Sequence, residues 1–182
     1  MQMQFLSRKP FTARRLVFLG LLVSQSLVLY LVESLIPLSF AVPGAKLGLS
    51  NIIGLSTLLL FGIGDAVLVT LMRITISSLF WGGMSVFLFS LCGGILSLFA
   101  MHALRSAFKE KIGIPGLSVA GAVFHNIGQL LAAAIVIENI RIIYYLPMLL
   151  LAAVPTGMLV GICTHFMTMH IRKIYGRRIL GK

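Results

Sequence analysis

The sequence predicts an all-α integral membrane bundle of six transmembrane helices, with both termini cytoplasmic. Three observations carry that expectation. Of the 182 residues, 59% are hydrophobic and the mean hydropathy is +1.06, whereas soluble domains are about 45–50% apolar. The apolar residues fall in long runs separated by short polar joints, as spanning helices require. The charges are lopsided, fifteen Lys and Arg against four acids, and they gather at the two ends of the chain and in one joint. Six spans with short joints leave one domain over 1–182, with basic segments at 1–15 and 170–182.

The first span runs from Leu16 to Ile36. MQMQFLSRKPFTARR before it is basic, but the apolar run is too long for a signal-peptide core and ends without a small-x-small exit site, so it is expected to remain as a helix. Glu33 lies near its outer end, one turn before Pro37. The joint PLSFAVPGAK follows, stiffened by Pro37 and Pro43 and able to turn at Gly44. Span two, Leu47 to Phe61, has Lys46 just above it and Asn51 one turn in, at about the depth of Glu33. After the tight turn GIGD, in which Asp65 is expected to cap the next helix, span three covers Ala66 to Phe80. Arg73 falls near its middle.

Span four, Val86 to Leu104, leads into a joint with Arg105, Lys109 and Lys111. Span five, Leu117 to Ile137, carries GAVFHNIGQLL. His125 and Gln129 are four apart and share a helix face, Asn126 lies near the same side, and Gly121, Gly128 and Ala132 extend the stripe. ENIR, with Glu138 and Arg141, reads as a solvated connection to span six, Pro147 to Met169, where Pro155 is expected to produce a kink.

With the N-terminus inside, twelve of the fifteen basic residues fall on the inner side, Lys46 and Arg141 fall outside, and Arg73 lies within a span. The positive-inside rule then places both termini in the cytoplasm. Trp81, Tyr144 and Tyr145 at outer span ends and Tyr175 after the last inner end fit interfacial belts. Small residues recur four apart: Gly20 with Ser24, Ser50 with Gly54, Ser90 with Gly94, Gly93 with Ser97, and Gly157 with Gly161. Such pairs let helices approach closely in lipid, within one bundle or against another subunit.

Several chemistries lack their residues. No basic face with interleaved aromatics is left to grip nucleic acid. Asp65 is the single aspartate, so no aspartate-rich run exists to hold magnesium on a diphosphate. His102, His125, His165 and His170 lack HExxH spacing, and Cys92 and Cys163 lack metal-ligand spacing. No Walker A loop is present, so any ATP-driven step must come from a partner. No metal or cofactor is expected, and the chain reads as a binder rather than an enzyme. Ionisable and polar groups inside spans mark function by default, which makes Glu33, Lys46, Asn51, Arg73, His125, Asn126 and Gln129 the candidate substrate-binding residues.

The motifs LVESLIP, VPGAKLGLSN, a central MRI on span three, SLCGGILS on span four and VAGAVFHNIGQL on span five resemble the bacterial membrane family called Gx transporter or heptaprenyl diphosphate synthase component I, over about residues 15 to 170. In size and six-span layout that family is similar to the substrate-binding S components of energy-coupling factor (ECF) importers. The resemblance implies capture of a small polar or anionic metabolite from the outer face of the cell membrane, under the joint between spans one and two. It further implies a transmembrane T subunit and cytoplasmic ATPases as partners. The family's Ala-xxx-Ala contact for the T subunit has its nearest match at Gly20 and Ser24. The family's other label implies a second role, an accessory membrane subunit of prenyl diphosphate (heptaprenyl) synthase or quinone synthesis.

Overall fold

The computed structural model describes residues 13–35, 48–81, 83–175. The fold is all-helical. Six α-helices occur among these residues: α1 Ala13–Leu35, α2 Leu49–Leu60, α3 Ile63–Trp81, α4 Gly83–Phe108, α5 Ile114–Val136 and α6 Leu146–Tyr175. Short 3₁₀ turns, Lys109–Lys111 and Ile140–Tyr145, fill the joints before α5 and α6. All except α2 belong to segments long and apolar enough to cross a membrane, so the chain is a multi-pass membrane protein.

Most helices outrun the spans read from hydropathy because a helix continues into the headgroup region after the apolar run ends. The α4 helix reaches Phe108 rather than Leu104, and α6 reaches Tyr175 rather than Met169. The α2 helix departs the other way. Its twelve residues rise about 18 Å, short of the ~30 Å hydrocarbon core. Ten of them, from Ser50 and from Ile52 to Leu60, are buried. Neighbouring helices rather than lipid cover it, and such a helix has no need to match the bilayer.

The helices pack as two connected groups. The α4 helix packs on α5 and α5 on α6, through glycines that bring backbones together. An ideal Cβ on Gly128 would lie 2.7 Å from the Cys92 carbonyl oxygen, one on Gly157 would lie 2.7 Å from Val119 Cα, and one on Gly161 would lie 2.5 Å from Pro115 Cα. None of these sites has room for a side chain. The α1 helix instead packs on α2 and α3, with Leu19, Leu22, Ile53 and Val69 as their shared apolar core. Contacts of α3 with α4 and of α2 with α6 join the two groups.

Asp65 does not cap α3. The helix begins at Ile63, so Asp65 already lies inside the first turn, and its two oxygens each accept from Arg15 Nη2 at 2.7 Å. Asp65 is buried, and the pair ties the start of α1 to the start of α3. Near the same end, Arg105 Nη1 donates to the Leu58 carbonyl at 3.1 Å, placing a cation on the unsatisfied C-terminal carbonyls of α2. This is the basic end of the molecule. The ENIR connection is ordered into the second 3₁₀ turn, where Asn139 Oδ1 accepts from the Arg141 N–H at 3.0 Å. Tyr144 and Tyr145 beside it are exposed. The α6 helix is continuous through Pro155, which leaves the Leu151 carbonyl without its usual partner four residues on.

Candidate functional site

Between the two groups of helices lies a cavity of about 50 Å³ that reaches from Glu33, near the end of α1, to Met101 and Ser118. One wall comes from α1, α2 and α3 and contains Tyr30, Glu33, Asn51 and Arg73. The facing wall comes from α5 and α6 and contains His125, Asn126, Gln129 and Thr156. Leu55 and Met101 line the cavity and also belong to a packed apolar cluster with Leu58, Leu59, Leu98 and Leu117. The floor toward the basic end therefore combines this apolar cluster with the hydroxyls of Ser97 and Ser118.

Glu33 reaches the cavity because α1 carries it two residues before its end, on the face that also presents Tyr30. Its Oε1 accepts the Gly48 backbone N–H at 2.5 Å, so its carboxylate sits at the N-terminus of α2, where the helix dipole favours negative charge. Gly48 occupies that position with φ of +74°, a left-handed conformation open to glycine at little cost. A Cβ there would also come within 3.1 Å of Asn51 Nδ2. The sequence Gly48-Leu49-Ser50-Asn51 thus starts a helix, supplies a donor to Glu33 and places an amide in the wall.

Arg73 is 5% exposed, near the middle of α3. Its guanidinium lies over the Tyr30 ring, 5.9 Å from the centroid, within range of a cation–π contact. Among the described residues it makes no hydrogen bond, although five N–H donors are available. Across the cavity, Asn126 Nδ2 donates to the Leu149 carbonyl of α6 at 3.0 Å, so this amide joins α5 to α6 as well as lining the space. His125 and Gln129 lie over Gly93 of α4, whose ideal Cβ would meet Gln129 Cγ at 2.7 Å and His125 Cε1 at 3.2 Å. Replacing that glycine would push both polar side chains out of place.

Six of the seven residues expected from the sequence, Glu33, Asn51, Arg73, His125, Asn126 and Gln129, line this one cavity. Lys46, with the whole PLSFAVPGAK joint, and the side chain of Trp81 lie outside the described residues. Gly20 and Ser24 lie elsewhere, on an exposed face of α1, where an added Cβ on Gly20 would meet nothing within 4 Å. Ser24 Oγ donates to the Gly20 carbonyl at 3.0 Å. The sequence reading missed Tyr30, Ser97, Ser118 and Thr156 as lining residues. Helical spacing held the signal for two of them: Tyr30 is one turn before Glu33, and Ser118 is seven residues before His125 on the same face. Among the described residues no three His, Cys, Asp or Glu side chains come together to hold a metal ion.

A family model described as heptaprenyl diphosphate synthase component I matches residues 22–167. No curated protein and no solved structure matches the chain.

Proposed function

From a chain that belongs to the heptaprenyl diphosphate synthase component I family, we propose a substrate-binding membrane subunit of an ECF-type importer, which captures a small polar or anionic metabolite from the outer face of the cell membrane. The observation that carries this reading is the polar cavity around buried Arg73, backed by the apolar cluster that includes Leu55 and Met101. Burying a guanidinium is costly, and although Glu33 attracts Arg73, none of the described residues accepts a hydrogen bond from its fork, which leaves those donors for a ligand. Under the positive-inside rule the basic end faces the cytoplasm, which turns the Glu33 end of the cavity toward the outer face. At about 50 Å³ it holds roughly four waters, while metabolite sites span about 300–1,000 Å³, so capture requires the walls to part. The protein acts here as a binder without catalysis. Energy comes from a T subunit and cytoplasmic ATPases, with the exposed Gly20 and Ser24 face of α1 as the docking surface.

The family's description favours a second reading, an accessory membrane subunit of prenyl diphosphate synthase or quinone synthesis. Tagged full-length protein purified from native membranes separates the two. Recovery of a T subunit with two ATPases is the expected result, and recovery of a soluble prenyl synthase without them would replace the importer reading with the accessory one.

A further inference from the structure

The charge arrangement in the cavity narrows the ligand class, and this step deepens the importer reading and rests on it for the direction from which the ligand arrives. Among the described lining residues Arg73 is the one Lys or Arg, and Glu33 is the one acid. A cavity with one of each would ordinarily suit a zwitterion. Here, however, the two charges are not equally available. Glu33 is held by the Gly48 N–H, and the positive end of the α2 dipole already compensates it. Arg73 has the Tyr30 face beneath it and is attracted by the Glu33 carboxylate, but none of the described residues accepts a hydrogen bond from it. A 95%-buried planar fork of donors with no acceptor among the described residues, in the wall of a cavity, suits an anion from the ligand.

The neighbouring carboxylate limits how much charge that anion carries. A phosphate monoester near neutral pH or a diphosphate would bring two or more negative charges to a wall holding one guanidinium and one carboxylate. A monoanion adds a single negative charge, part of which the positive end of the α2 dipole, about half a unit charge, offsets. A planar carboxylate matches the guanidinium fork with two parallel N–H···O bonds. The opposite wall supplies His125, Gln129 and Thr156, which suit a neutral, hydrogen-bonding body. We infer that the cavity takes a small monocarboxylic acid, with its carboxylate on Arg73 above the Tyr30 ring and its uncharged polar frame against α5 and α6. Prenyl diphosphates and amino acids with a free ammonium are not its ligands.

The test uses the full-length protein in mild detergent, incubated with a defined equimolar set of compounds built as matched triplets. Each carboxylic acid is accompanied by its primary amide and its phosphate monoester, on both uncharged and amino-bearing frames. Mass spectrometry of the washed and then denatured protein reads what stayed bound. The expected result is at least tenfold enrichment of acids on uncharged frames over their amides and phosphates. That preference should vanish in Arg73→Gln, survive in part in Arg73→Lys, which keeps the charge without the fork, and persist in Glu33→Gln, whose amide oxygen can still accept from Gly48. Equal retention of acids and amides, preference for phosphates, retention of nothing, or a demand for a ligand ammonium that Glu33→Gln abolishes would each overturn the inference. Acid binding without uptake in cells would leave it standing and remove the importer, whereas uptake of a compound without an acid would do the reverse.

Discussion

The two walls of the cavity are held by different forces. On the α4–α6 side, glycines at positions 128, 157 and 161 set backbone against backbone, with no space for even a methyl group. On the α1–α3 side, the helical glycines leave more room: a Cβ on Gly20 or Gly64 would meet nothing within 4 Å, and one on Gly54 would meet Thr70 Oγ1 only at 3.5 Å. Polar ties at three levels accompany the apolar packing there. Arg15 pairs with Asp65 at the basic end, Ser26 Oγ donates to the Ser50 carbonyl at 3.3 Å, and Glu33 accepts from Gly48 at the far end. Close packing is stiff and fails all at once, while hydrogen bonds can be exchanged one at a time for others. The α1–α3 wall, which holds Arg73, is the one suited to shift when a ligand enters.

Three destabilising substitutions, the first with a matched control, probe that difference in descending order of effect. Gly161→Leu drives a side chain into Pro115 and Ser118 and is expected to destabilise the purified protein by about 3 kcal/mol or more, read as a lower midpoint of thermal unfolding. The matched change on the other side, Gly20→Leu, should stay within about 0.5 kcal/mol. Comparable losses in both would show that the two halves are packed alike. Asp65→Asn weakens a pair whose Arg15 side chain is 33% exposed, and an effect of about 1–2 kcal/mol is expected. A double-mutant cycle with Arg15→Gln checks it, since two additive losses would mean that the tie contributes nothing. Asn126→Ala removes one bond between helices already locked by glycine, for about 0.5–1.5 kcal/mol. A loss as large as that of Gly161→Leu would make the amide, rather than the glycines, the main fastening of α5 to α6.

Much of this architecture was legible in the sequence because its signals are one-dimensional. Run length identified the five long helices, and the spacing of His125 and Gln129 identified the inward face of α5. The small pair Gly157 and Gly161 likewise marked a true helix–helix contact. What stayed hidden depends on which way an evenly apolar helix turns. Ser97 lies on a helix that is hydrophobic nearly all round, so nothing local says that its face points to the cavity. Asp65 was misread as a cap because its partner, Arg15, is fifty residues away. The Gly20 and Ser24 pair resembles the others in sequence, yet it is left open to the surroundings because α1 lies at the edge of the bundle.

The brevity of α2 bears on how the chain enters a membrane. A twelve-residue segment, however apolar, is too short to cross the hydrocarbon core alone. Phe61 and Gly62 join it directly to α3, and Gly62 turns the chain with φ of +96°. The two helices are therefore suited to insert as a hairpin, with α3 supplying the length that α2 lacks. A nascent chain that ended after Leu60 would have no reason to keep this segment in the bilayer, so part of the cavity wall is established only once α3 has been made.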